Sequence, residues 1–560
     1  MEQGSSITGA RFIAETLKGY GVTHVFYVDA ILRKTMVDLE ELGVRRIITH
    51  SEKAAAYMAD GYARVSHKPG VCMAQSVGAA NLAAGLQDAF LGGSPVVALT
   101  GKKPPLFQHR HAYQEIEHSP LFAPVTKYNV DVITPAQLPY LLRQAFREAT
   151  TGVPGPVHLD LLGHSGRPLE AAEADFPVII EDAFTRYPAY RPQPEPDAVQ
   201  QAARAIVAAQ RPIIVAGGGV RIASAAAEVV ALAEKLSIPV ATSVNGKGTI
   251  LDNHPLSVGV VGTYSVRCAN QAVSEADMVI FIGSNTGDQV TNNWTIPAPG
   301  TPVVQIDVNP AEIGRSYRGA VGVVGDARTA VAQLTAALET KSANNAWLNR
   351  VQSLVSAWHE EIELLRQSDA VPIRPERLCQ ELSAALPDNA VLVADTGYSA
   401  IWTATMVQLT QPGQRYLRAA GSLGWAFPAA LGAKCAVPER PVICFTGDGG
   451  FWYHLSELET ARRYHIKTVT IINNNGGLAQ GIPDVHAMYG DRPGNPGELY
   501  RFEAVSFASI AREMGCLGIR VEQPDQIRGA IQEALTADQP VVVEVMTGLD
   551  YRAPSPWSPG

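Results

Sequence analysis

Two short apolar runs, each handing polar residues to its carboxyl end, constrain the fold of this chain more than any other feature. Residues 441–446 (PVICFT) have the length and β-branched character of a buried strand and lead into Gly447-Asp448-Gly449. An amphipathic segment over about residues 455–464 follows, and then a second run, 468–472 (TVTII), which ends in Asn473-Asn474-Asn475. Strand, helix and strand in that order deliver both polar ends to one edge of a parallel sheet, where α/β sheets bind ligands. Gly447 and Gly449 permit a sharp turn beyond the first strand. The carboxylate of Asp448 and an asparagine amide thus converge as hard oxygen donors, and Gly476-Gly477 lets a main-chain carbonyl join them. Mg²⁺ takes one or two such groups together with waters and phosphate oxygens. Either tripeptide alone reads as an ordinary turn or loop. Together they read as a device for holding a diphosphate through one divalent cation.

Segment 447–477 resembles the thiamine-diphosphate signature of the superfamily of acetolactate synthases, pyruvate oxidases and 2-hydroxyacyl-CoA lyases. The resemblance implies thiamine diphosphate and Mg²⁺ as cofactors. It assigns the metal to the side chains of Asp448 and Asn475 and the main-chain carbonyl of Gly477, sets Gly449, Gly450 and Leu478 against the cofactor, and places Glu457 where the family also has a glutamate. It extends over nearly the whole chain. HSEKAAAYMADGYAR (residues 50–64) and the following KPGVCMAQSVGAANLAAGLQDAF are similar to the family's pyrimidine-binding domain, with Glu52 in place of its activating glutamate. That carboxyl must hydrogen-bond the pyrimidine N1′ so that the exocyclic amine becomes an imine base near thiazolium C2, and an apolar shell around it would raise its pKa toward proton sharing. The alternative for Glu52 is a first-turn glutamate favoured by the helix dipole. In VLVADTGYSAIW (residues 391–402), Gly397, Tyr398 and Ser399 resemble the family's main-chain donors to the diphosphate. In AAGSLGWAFPAALGAK (residues 419–434), the carbonyl of Gly421 is expected to accept from the aminopyrimidine, and Leu423 is either the wedge that bends the cofactor or simple core.

Composition agrees with a large globular enzyme. The 560 residues allow about three domains. With 46% hydrophobic and 18% charged residues and a net charge of −9, the chain has large cores and no basic field for nucleic acid. Its six cysteines are scattered without C-x-x-C spacing, as expected for small buried residues in a reduced compartment. The amino terminus, MEQGSSITGARF, lacks a basic region followed by an apolar stretch, and no apolar run approaches the length of a membrane span. A cytoplasmic protein without membrane contact is the expectation.

Proline-rich residues 186–198 (RYPAYRPQPEPDA) and the stretch from Lys341 to about Pro375 divide the chain. The fold class is accordingly α/β, with three doubly wound parallel-sheet domains: pyrimidine-binding over 1–185, middle and nucleotide-binding-like over 190–345, diphosphate-binding over 370–560. In the middle domain a strand meets Gly217-Gly218-Gly219, and Asp307 ends a later strand, a pattern suited to ADP or FAD. The family's GRPGP motif reads GVPGP at residues 152–156, with Val153 in the arginine's place, so a purely structural middle domain stays equally open.

Substrate expectations come from departures. Gln289 stands where acetolactate synthases carry an arginine that holds a carboxylate, and QGIPD (residues 480–484) lacks a familiar tryptophan, which disfavours classical acetolactate synthesis. FYVDAILRK puts Tyr27, Val28 and Asp29 near the reacting carbon, and HAYQEIEH sets Tyr113 and Gln114 at a substrate-contact position. His109, His111 and His118 flank that pair as loop histidines, His118 being a candidate proton shuttle. The resemblance therefore implies an enzyme that makes or cleaves a C–C bond beside the carbonyl of a small 2-oxo or 2-hydroxyacyl substrate. Lyase, carboligase and decarboxylase directions are all open, as are CoA thioester substrates in the manner of a 2-hydroxyacyl-CoA lyase or oxalyl-CoA decarboxylase, and cyclic 1,2-dione hydrolysis. It further implies a homodimer or homotetramer with active sites between subunits. The rival reading is a non-catalytic nucleotide-binding homologue.

Overall fold

The computed structural model describes residues 6–339 and 344–559. The first five residues of the amino-terminal reading, and Lys341 at the start of the second linker, lie outside the described residues. Three six-stranded sheets organise the chain, and every neighbouring pair within them is parallel, as the alternating strand and helix pattern predicts. The first runs Arg45–Ile48, His24–Tyr27, Gly70–Gln75, Val96–Lys102, Val157–Leu162, Tyr128–Val132. The middle sheet runs Ser257–Val260, Val240–Thr242, Pro212–Ala216, Met278–Ile282, Val303–Asp307, Val321–Val324. The third runs Arg415–Arg418, Val391–Ala394, Val442–Gly447, Val469–Asn474, Val541–Met546, Leu517–Val521. Central strands such as VLVA and MVIFI are buried at every position, because helices cover both faces of a parallel sheet.

In each sheet the chain builds outward first to one side and then to the other. The reversal lies between His24–Tyr27 and Gly70–Gln75, between Pro212–Ala216 and Met278–Ile282, and between Val391–Ala394 and Val442–Gly447. Diverging loops at such a switch point open a crevice at the carboxyl ends of the strands. The third of these crevices is bounded by Asp395–Ser399 on one side and Asp448 on the other.

The first and third domains are locked together by helices Glu52–Ser66 and Ala426–Ala436. A Cβ at Gly61 would collide with the Ala429 carbonyl, and one at Gly432 with that of Met58, so the two backbones touch at their crossing. Beside the crossing, Arg64 makes a two-pronged ion pair with Asp60 at 2.7 Å on each arm, and its guanidinium lies 4.6 Å from the Trp425 ring centre. Trp425 Nε1 donates to the same Asp60 carboxylate at 2.9 Å. All six cysteines are buried and free. Among the described residues no helix is long and apolar enough to cross a membrane.

Candidate active site

The edge of the third sheet beside Asp448 is assembled by hydrogen bonds that sort its polar residues into supports and free groups. Of the three asparagines that end Val469–Asn474 and begin its loop, Asn473 accepts from Thr547 Oγ1 at 2.7 Å and Asn474 donates to Glu544 at 2.8 Å. Asn475 is left at the crevice, with its Oδ1 accepting only the nearby Gly477 N–H at 3.1 Å. Asp448 is 3% exposed. Burial pushes its carboxyl up to about 7, against the pull of N–H groups that include those of Gly477 and Asn475. Asp448, Asn475 and Gly477 are therefore brought together at one point.

That carboxyl is buried among neutral donors only, an arrangement completed by a cation. Among the described residues no cluster of three His, Cys, Asp or Glu could hold a metal. A cation here has one acid and must draw its other ligands from amide, carbonyl, water and phosphate oxygens, which is the donor set of Mg²⁺ with a bound diphosphate. The residues present fit the group. A cleft of about 480 Å³ lined by Asp448, Asn475 and Gly476 adjoins it.

The glycines work differently from the sequence expectation. Gly447 takes an extended conformation, φ −83° and ψ 165°, and the strand runs straight into the short helix Asp448–Phe451 without a tight turn. What the glycines supply is room. A side chain at Gly449 would press on Leu478, and one at Gly450 would lie 2.9 Å from the Asp395 carboxylate. The left-handed positions are instead Gly397 and Gly476 (φ 64° and 75°), which start the loops on either side. Gly397 turns the chain into helix Tyr398–Met406, aiming the amides of Tyr398 and Ser399 into the crevice. Leu478 donates its backbone N–H to Tyr500 at 2.8 Å and keeps its side chain against Gly449.

One organiser escaped the sequence reading. Asp395, 1% exposed, accepts from the N–H groups of Thr396 (2.8 Å) and Gly424 (3.0 Å) and from Thr446 Oγ1 (3.1 Å), tying together the three loops around the crevice. Burial pushes its carboxyl up to about 6. The loop bearing Gly421 and Leu423 is also held from the first domain: Asp88 accepts from the N–H groups of Ala420 and Ser422, and Gln87 donates to Ser422 Oγ at 2.9 Å. Leu423 is half-buried and joins none of the apolar cores, which removes the simple-core alternative for it. Gly421 is exposed, with nothing within 4 Å of where a Cβ would stand.

Glu52 opens helix Glu52–Ser66, whose first turn is capped by Ser51. Its Oε2 accepts from Asn81 Nδ2 at 2.8 Å, and its side chain lies against Gly78. The expected apolar shell is absent within the single chain. The carboxyl sits at a helix start on the sheet edge, among Asn81 and a glycine rather than core residues. Neither Asn81 nor Asp88 was singled out in the sequence, although their spacing of seven on one helix, which puts them on one face, was a signal for the pair.

On the 105–122 segment, Tyr113 is 78% exposed. Gln114 has φ 61°, its carbonyl accepts from Ser76 Oγ at 2.6 Å, and its buried Oε1 has no partner among the described residues, so an acceptor is left open. His118 is not a solvated loop histidine. It is 1% exposed, with Nδ1 3.0 Å from Asp160, because the helix it precedes tucks Phe122 against His158. Tyr27 is buried, and Asp29 has its charge met by Arg33 at 2.8 Å.

The middle-domain crevice opens into a cleft of about 700 Å³ shared with the first domain and lined by Gly218, Gly219, Asp307, Gln289 and Arg418. Val153 also lines it, and Lys127, the cation nearest that position, donates to the carbonyls of Glu148, Thr151 and Val153. Gln289 is not isolated from positive charge. Its Oε1 accepts from Arg418 Nη2, so a guanidinium from the third domain's strand Arg415–Arg418 stands beside the amide at position 289.

Three family models match the chain: "Thiamine pyrophosphate enzyme, N-terminal TPP binding domain" over residues 7–121, "central domain" over 199–334 and "C-terminal TPP binding domain" over 395–545. Among curated relatives, a probable acetolactate synthase large subunit from Methanocaldococcus jannaschii is 35% identical over 96% of this chain and 91% of its own length. An acetolactate synthase large subunit from Corynebacterium glutamicum is 33% identical over 97% of the chain and 87% of its own. The acetolactate synthase isozyme 1 large subunit of Escherichia coli is 29% identical over 96% and 93%.

Proposed function

Because this chain belongs to the thiamine pyrophosphate enzymes and is acetolactate synthase-like along its length, we propose that it binds its cofactor through one Mg²⁺ and makes or cleaves a C–C bond beside the carbonyl of a 2-oxo or 2-hydroxyacyl substrate. The observation that carries this reading is the meeting of buried Asp448 with Asn475 and Gly477 at the switch point of the third sheet. Asp448 and Asn475 would hold the cation with the Gly477 carbonyl. The amides of Gly397, Tyr398 and Ser399 would serve the diphosphate, with Gly449, Gly450, Leu423 and Leu478 lying against the cofactor. The Gly421 carbonyl would accept from the aminopyrimidine.

When bound, thiamine diphosphate supplies the electron sink for the bond made or broken. The protein's part is proton placement and alignment. Glu52 would hold a proton for the pyrimidine ring nitrogen, and Asn81, which donates to its Oε2, would leave Oε1 for that contact. Gln114, with its open acceptor, orients a polar group of the substrate, with Tyr113 beside it. A homodimer or homotetramer, in which Glu52 of one chain serves the metal loop of another, accords with the openness of Glu52 in the single chain.

Calorimetry of the purified chain with thiamine diphosphate and magnesium is the first test. Uptake that requires magnesium is expected, and no uptake would remove the reading. Glu52→Gln should keep cofactor affinity and abolish turnover; unchanged biological effect would favour the non-catalytic homologue. Turnover is then screened over 2-oxo acids, 2-hydroxyacyl-CoAs, oxalyl-CoA and cyclic 1,2-diones. The 2-oxo acids are expected to be consumed, and a CoA thioester or dione consumed alone would replace them.

A further inference from the structure

Arg418 closes the strand Arg415–Arg418 and is 5% exposed. Its Nε donates to Asn245 Oδ1 at 3.1 Å and its Nη2 to Gln289 Oε1. Both partners are neutral amides, and among the described residues Nη1 has no acceptor and the guanidinium no ion pair. The carboxylate of Asp88 lies in the neighbourhood, but it is engaged by the N–H groups of Ala420 and Ser422. A cation buried with amides alone is uncompensated, and such a group is satisfied when an anion meets its planar fork.

The guanidinium lines the 700 Å³ cleft, and a run of contacts leads from there toward Gly397. The Gln289 carbonyl accepts from Thr263 N–H at 2.8 Å; the neighbouring Tyr264 hydroxyl lies 3.5 Å from Gln480 Nε2; and Gln480 Oε1 is 2.9 Å from the Cβ position of Gly397. In the chain, Arg418 stands three residues before Gly421, on the loop that faces the cofactor. The other charges in the cleft favour a single negative charge over a phosphate dianion. Asp288 and Asp307 line it without an ion pair among the described residues, Asp326 and Glu312 are paired with Arg191 and Arg315, and Lys127 is held by three carbonyls.

We propose that Arg418, oriented by Gln289 and Asn245, anchors the carboxylate of a 2-oxo acid substrate, supplying from the third domain the cation that relatives carry at position 289. This rests on the function proposed above and adds the substrate's charged handle. Arg418 sets specificity by binding the carboxylate, and the sequence comparison missed it because RYLR reads as an ordinary strand.

The test titrates oxamate, an unreactive isostere of pyruvate, into the full chain by calorimetry, with and without thiamine diphosphate and magnesium. Wild type is expected to bind it, Arg418→Gln to bind it about tenfold to a hundredfold more weakly, and Arg418→Lys to recover part of the loss as a point charge without the fork. If Arg418→Gln does not fold, Gln289→Glu gives the same answer. It places a carboxylate on the guanidinium and should exclude oxamate while leaving thiamine diphosphate affinity unchanged. Oxamate binding that is absent in wild type, or equal in all variants, overturns the proposal. So does Arg418-dependent binding of inorganic phosphate without binding of oxamate, which would make the anion a nucleotide's. Failure of cofactor uptake alone would overturn the proposed function and leave the oxamate result to judge Arg418.

Discussion

The middle and third domains each run a strand into a glycine-rich turn and a short helix, Gly217-Gly218-Gly219 before Gly218–Ile222 and Gly447-Asp448-Gly449 before Asp448–Phe451, yet the two turns serve different ends. In the middle domain the glycines let the backbone lie directly on a neighbouring strand end. Gly219 N–H donates to Gly283 at 2.9 Å and Gly217 N–H to Ile282 at 2.8 Å, and a Cβ at Gly217 would collide with the Gly283 carbonyl. In the third domain a Cβ at Gly447 would meet nothing nearer than Ser399 Oγ at 3.6 Å, and the space is given to Asp448 and its partners. A glycine-rich turn is thus no evidence of a ligand site by itself. What decides is whether the protein already uses the turn's amides and the room beside them.

The largest effect that could break this contrast is on cofactor binding. Asp448→Ala should weaken magnesium-dependent uptake of thiamine diphosphate about a thousandfold, roughly 4 kcal/mol, by removing the one acid at the cation. Gly218→Ala should leave that uptake unchanged, and equal calorimetric losses in the two variants would erase the distinction. Next comes packing: Gly217→Ala should cost about 3 kcal/mol in denaturant unfolding because backbone lies in the way. Gly421→Ala, with open space around it, should stay within about 0.5 kcal/mol of wild type while weakening cofactor binding.

A smaller effect tests what the crevices share. Burial pushes Asp307 and Asp395 both up to about 6, from an ordinary value of 3.8. A raised folded-state pKa gives stability that is present below the ordinary value and is lost as pH rises through the folded one. Unfolding followed from pH 4 to pH 7 should therefore show Asp307→Asn gaining on wild type by on the order of 2 kcal/mol. A flat difference would mean that the Asp307 carboxyl is not desolvated. The smallest effect belongs to the loop shared between domains. Asp88→Asn should lose about 1 kcal/mol of stability and loosen cofactor binding several-fold, since one amide oxygen replaces two carboxylate oxygens under Ala420 and Ser422.

The parallel architecture and the meeting of Asp448 with Asn475 at one sheet edge were legible in the sequence because both depend on local signals: apolar runs of strand length, and one acid and one amide at their ends. Residue type alone could not separate Asn475 from Asn473 and Asn474; the resemblance singled it out, and the fold adds that the other two are engaged by Thr547 and Glu544. Asp395 and Arg418 stayed hidden for a related reason. Their partners are backbone amides or side chains far along the chain, and no short motif records such pairings. The burial of His118 could not be read from the sequence because it follows from Phe122 stacking on His158, a contact between segments whose proximity only the sheet order establishes.

The crossing at Gly61 and Gly432 has a practical consequence for anyone wishing to redirect this catalyst. Positions such as Gln289 and Asn245 sit on a cleft wall, are coupled through the Arg418 side chain that both hold, and can be varied together with it. The helix that starts at Glu52 and the one that follows Leu423 cannot be retuned separately, because they meet backbone to backbone. A library that alters either must diversify Met58, Gly61, Ala429 and Gly432 as a single block, or it will fill with unfolded clones rather than new activities.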